Sequence, residues 1–189
     1  MPAENAVDLL RGFASPKAAV RFASAKALRK MSEASPERVY PLFGEIAGLL
    51  DSENQILRWN AIRTLGNLSA VDVEGRVEAI LNKWLEPLDG PELITAANVI
   101  LSMPPVVRAK PQLAGRIAAR LMRVRSSPFP TPECTNVALG HAIRALHEIY
   151  PSLKRKKPVA DFVSAELDNP RKSTRAAAAR FVRAYLRDG

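Results

Sequence analysis

Apolar residues along this chain return at the spacing of a helical face. Val77, Leu81, Trp84 and Leu88 stand at i, i+4, i+7 and i+11, and Leu113, Ile117, Leu121 and Val124 at i, i+4, i+8 and i+11. Each set therefore falls on one side of an α-helix. Comparable segments cover 37–50, 75–88, 111–124 and 157–167. No segment sustains a two-residue alternation, so the pattern predicts helices and no strands.

A second kind of segment lies between these, and it repeats in wording. Residues 21–31 read RFASAKALRKM and residues 58–68 read RWNAIRTLGNL. Taking Leu28 and Leu65 as anchors, equivalent positions follow at Leu101, Leu146 and Val182, with spacings of 37, 36, 45 and 36. A small residue precedes each anchor by four: Ser24, Ala61, Ala97, Ala142 and Ala178. Small side chains there let a neighbouring helix approach, and a fixed period of this length predicts stacked two-helix units.

Helix starts are marked as well. Ser15-Pro16, Ser35-Pro36, Thr131-Pro132 and Asn169-Pro170 each join a capping side chain to a proline at the first helical position. The cap oxygen satisfies a free N–H, and proline has none there to satisfy. The segment 91–103 is apolar nearly all round and predicts a central helix, broken after it by Pro104-Pro105.

The stretches SPKAAVRFASAKAL, SENQILRWNAIRTL and NPRKSTRAAAARFV resemble the first helix of the HEAT repeat. The resemblance implies an all-α fold, a right-handed solenoid of stacked antiparallel helix pairs (a HEAT/ARM-like superhelix). One domain would span 1–189, with units at about 15–50, 51–88, 89–124 and 130–167, an N-terminal helix 3–13 and a capping helix 170–187. It also implies that Arg21, Arg58 and Arg175 bond between neighbouring repeats, and that the second helices line the concave wall.

Composition narrows the function classes. The chain has one cysteine, Cys134, so it forms no internal disulfide and suits a reducing compartment. Glu4, Asp8 and Arg11 interrupt the stretch where a signal peptide needs an apolar run, and 94–107 is too short to span a bilayer. A cytoplasmic location and no membrane partner are expected. His141 and His147 are six apart, and no His-x-x-x-His, Cys-x-x-Cys or glycine-rich phosphate loop occurs, so neither a metal nor a cofactor is expected. The carboxylate pairs Asp72/Glu74 and Glu74/Glu78 read as solvated surface. The expectation is a monomer that is not an enzyme.

Charge carries the remaining signal. Of a net charge of +9, residues 1–100 hold 11 Lys+Arg against 13 Asp+Glu, whereas residues 101–189 hold 17 against 6. Arg116, Arg120 and Arg123 form one helical stripe, Lys154, Arg155, Lys156 and Lys157 a loop run, and Arg180, Arg183 and Arg187 a second stripe. These ten predict a basic surface for an acidic segment of a protein partner, with a nucleic-acid backbone as the alternative. The basic HEAT-like build is similar in outline to that of alkylpurine DNA glycosylases, but Trp84 lies on an apolar face and no Asp stands convincingly beside it. The excess in the 45-residue spacing falls near RSSPFPTPE (125–133), where Phe129 is a candidate loop contact.

Overall fold

Helices joined by short turns make up the computed structural model, which describes residues 5–186; no strand occurs among the described residues. The expected helix ends at 3 and 187, and Arg187 itself, lie outside them. The chain divides after Trp84 into two compact units. The first holds α1 (Ala6–Arg11), α2 (Ala18–Ala34), α3 (Pro36–Val39), α4 (Phe43–Gly48), α5 (Gln55–Leu68) and nearly all of α6 (Arg76–Leu85). The second holds α7 (Leu93–Ala109), α8 (Ala114–Met122), α9 (Pro132–Ile149), α10 (Lys157–Ser164) and α11 (Lys172–Tyr185).

Within each unit the long helices pack in succession, α2 on α5 and α7 on α9 on α11, with the shorter helices turned back between them as antiparallel mates. Hydrogen bonds mark the period directly. Asn67 donates to the Ser32 hydroxyl and Tyr40 to Asp72 in the first unit; Thr174 donates to the Asn136 carbonyl and Tyr185 to that of His147 in the second. Arg120 reaches Asp89 and Arg125 reaches Glu166. These partners stand 31–41 residues apart, the spacing of one repeated phrase.

The predicted core faces are buried. Val77, Leu81, Trp84 and Leu88 are wholly inside, as are Ile117, Leu121 and Val124, with Leu113 nearly so. Anchors Leu28, Leu65 and Leu146 are buried too. Two anchors are displaced by one position: Leu101 is 41% exposed while Ile100 is buried, and Val182 is half-buried while Phe181 is inside. Neighbouring positions on a helix point about 100° apart, so a shift of one residue exchanges core for solvent.

Three other expectations are corrected. Helix α7 runs through Pro104-Pro105 to Ala109. Two backbone donors are absent inside it, and the packing of Val99, Ile100, Met103 and Val106 offsets their loss. The segment 37–50 is interrupted by a 3-10 turn at Tyr40–Leu42, where Pro41 has no N–H to continue the ladder. Asp72 is buried rather than solvated: it accepts the Tyr40 hydroxyl at 2.7 Å and the N–H groups of Arg76 and Val77 at 2.9 and 3.1 Å, so it caps α6.

Three of the four expected capping turns are built differently, and the one at Thr131 is as expected. Thr131 caps α9 through the Cys134 N–H, with Pro132 in the first helical position. Ser35 makes no side-chain cap. Ser15 and Asn169 stand two residues before the true caps, Lys17 and Arg171, and accept those residues' N–H groups at 3.3 and 2.9 Å. Six residues on, Arg21 and Arg175 each donate back to the carbonyls of the same turn, at 2.7 and 3.0 Å and at 2.6 and 2.8 Å. These two arginines thus lock the start of their own helix instead of bridging to a neighbouring repeat.

Candidate functional site

The basic side chains singled out from the sequence occupy several settings in the second unit. Arg120 and Arg123 share Asp89 at 2.7 and 3.2 Å, and Arg120 also donates to the Leu85 carbonyl. They therefore tie α8 (Arg120) and the 3-10 turn that follows it (Arg123) to the turn before α7. Arg116 is exposed on α8. Lys157 pairs with Asp161 at 2.7 Å along α10, and the Lys156 ammonium lies 5.4 Å from the Tyr150 ring. Lys154 and Arg155 are exposed and make no ion pair among the described residues. Arg180 and Arg183 are exposed on α11. Phe129 is half-buried and lines a shallow depression with Pro130, Pro132 and Thr135, its N–H bonded to the Ser127 carbonyl.

Lys154 and Arg155 border a groove of about 480 Å³ between α8 and α10. Its floor is Gly115, Ala118, Ala119 and Met122 on one side and Leu153, Pro158 and Val159 on the other. Leu153 and Val159 are buried and hold the loop and α10 in place, while the small residues of α8 leave the space between. A Cβ at Gly115 would meet nothing within 4 Å. Elsewhere in this unit Arg125 lies 4.4 Å from the Phe162 ring, donates to that residue's carbonyl, and pairs at 2.8 Å with Glu166, which Asn169 also bonds.

A second cleft, of about 450 Å³, opens between α9 and α11 and is lined by Arg144, His147, Glu148, Ser173, Ala176, Ala177 and Arg180. Gly140 lets the two helices close below it, and Tyr150, Phe181 and Tyr185 pack edge-on or tilted behind His147. Glu148 faces Arg108 of α7 at 3.7 Å. Shallower depressions continue from the cleft to Leu101, Val137 and His141, and to Arg171 and Lys172. Arg171 pairs with Glu133. Arg144, Lys172 and Arg180 have no ion pair among the described residues, and no acid lies in the first turn of α11.

The field of these cations is felt by both histidines. Burial, then Arg144 and Arg171, hold His141 below its ordinary pKa; burial, then Arg180, do the same for His147 against the opposing pull of Glu148. The Nδ1 atom of His147 is buried without a hydrogen-bond partner. Sequence reading did not single out Arg144. The signal for it is the period itself, because Arg144 and Arg180 stand 36 positions apart, the same distance as the anchors Leu146 and Val182.

Among the described residues no three His, Cys, Asp or Glu side chains gather as a metal site requires, and no helix is long and apolar enough to cross a membrane. Cys134 is half-buried at the start of α9, its Sγ 3.2 Å from the Thr131 hydroxyl. A scan against models of protein families finds no match to the chain, and a search of curated proteins finds none either.

Proposed function

We propose that this chain is a HEAT-like, non-enzymatic binding module, a monomeric right-handed array working in a reducing cytoplasmic compartment, whose C-terminal half receives an acidic segment of a partner protein. The observation that carries the reading is the α8–α10 groove, with its apolar floor beside Lys154 and Arg155. Apolar anchors of a partner bury area on the floor, and carboxylates beside them meet the two cations, which sets orientation. The HEAT-like assignment is supported by the recurring phrase and by the matched turns at Ser15/Arg21 and Asn169/Arg175.

The test is fluorescence anisotropy with synthetic acidic peptides carrying apolar residues four apart. Gly115→Leu fills the groove from a position where added atoms meet open space, and Lys154→Glu/Arg155→Glu reverses the rim. Each variant is expected to weaken binding at least tenfold, about 1.4 kcal/mol. Equal binding by variants and parent protein would sink the reading.

A nucleic-acid backbone is the second reading, favoured by the 17 basic against 6 acidic residues of 101–189. Roughly six phosphate contacts would lower affinity about a thousandfold between 50 and 200 mM salt. An acidic peptide held partly by apolar anchors gives a shallower slope.

A further inference from the structure

The cleft between α9 and α11 has a chemistry of its own. Two guanidinium groups, Arg144 from one helix and Arg180 from the next, line the same cavity of about 450 Å³ without an ion pair among the described residues. Ser173 adds a hydroxyl from the first turn of α11. The one carboxylate in the lining, Glu148, stands 3.7 Å from Arg108 of α7. Both arginines are exposed and therefore screened when the cleft is empty, but they are poised to be desolvated together by whatever fills it.

We infer that this cleft is a binding site for a phosphomonoester dianion, held between Arg144 and Arg180 with Ser173 as a further donor. A phosphoryl group suits the lining better than a single carboxylate does. It presents three oxygens and close to two negative charges, enough for two planar guanidinium forks and a hydroxyl at once. A carboxylate satisfies one fork and leaves the other arginine facing its like-charged neighbour. The floor of Ala176 and Ala177 leaves room for the group that carries the phosphate. This site shares no residue with the α8–α10 groove, so either can fail without the other.

The test uses the full chain and follows the His147 imidazole by NMR, because that ring lines the cleft and already senses Arg180. Titration with inorganic phosphate, at ionic strength matched with chloride, is expected to give a saturable shift of the His147 signals. Calorimetry on the same samples gives the affinity. Arg144→Gln and Arg180→Gln should each weaken binding at least tenfold while circular dichroism stays unchanged, and Lys30→Gln, exposed on α2 of the first unit, should leave it as it was. Phosphoserine within a peptide then separates the sources. Tenfold tighter binding than inorganic phosphate identifies a phosphorylated protein segment, and equal binding identifies a small free phosphate ester; either supports the inference. No saturable shift, equal affinity in the Arg144 and Arg180 variants, or a DNA duplex without terminal phosphates binding more tightly than the monoesters would overturn it.

Discussion

A methyl group added at Gly140 of α9 would stand 2.7 Å from the Oγ1 atom of Thr174 on α11. That hydroxyl is itself committed to the Asn136 carbonyl at 2.7 Å, so it cannot swing aside without losing a bond. Gly140→Ala gains about 1 kcal/mol of helix propensity and loses about 1–3 kcal/mol to overpacking. The expected net loss is about 1 kcal/mol by chemical denaturation. In a Thr174→Ala background the same change should be neutral or stabilising, and a double-mutant cycle reads the difference.

Asp72 should behave as a structural acid. Asp72→Ala removes the cap of α6 and leaves the Tyr40 hydroxyl without its acceptor, an expected loss of about 2 kcal/mol. Asp72→Asn keeps one accepting oxygen and should cost less.

Tyr40 gives this corner a pH dependence. Burial, then the hydrogen bond to Asp72 and the charges of Asp72 and Glu74, hold its phenol above the ordinary pKa. The folded chain thus keeps the proton more firmly than the unfolded one. The resulting stability is complete below about pH 10 and is lost as pH rises through the raised value. Tyr40→Phe should flatten the alkaline limb of a stability profile; an unchanged limb would reject this account.

The two histidines act in the opposite direction. Both have depressed values in the folded chain, so the unfolded chain binds more protons as pH falls below about 6.5. Their contribution to stability is complete above that pH and declines below it. NMR titration should place both imidazoles below the ordinary value. Arg180→Gln should raise His147 and Arg144→Gln should raise His141, each only part of the way, because burial is the larger cause.

Arg125→Met leaves Glu166, nearly buried, with Asn169 alone as its side-chain donor. The expected loss is about 2 kcal/mol, less than for a fully buried pair because Arg125 is half-exposed. Adding Glu166→Gln should recover part of it, measured by thermal unfolding.

The seams of this fold are legible at Leu28, Leu65 and Leu146 because each apolar anchor and its small partner differ chemically from the polar face beside them. At α7 they are not. Ile100 and Leu101 are both apolar, so the period alone cannot choose between them, and the same holds for Phe181 and Val182. The α7 proline pair is misread for a related reason: a local rule says stop, and tertiary packing overrides it. Of the candidate surfaces, the Lys154/Arg155 rim is visible as a charge run. Its floor is not, because Gly115, Ala118 and Ala119 look like any closely packed helix until α10 is seen to stand back from them. Arg120 and Arg123 look like surface cations until Asp89, more than thirty positions earlier, is brought beneath them.

The 31–41-residue span of the bonds between helices bears on how the protein is made. A chain emerging from the ribosome need not wait for a far-off segment, since each new helix meets its mate one phrase after the last. Maturation can thus proceed in step with translation, with little loop-closure entropy to overcome and little time spent with a sticky surface uncovered.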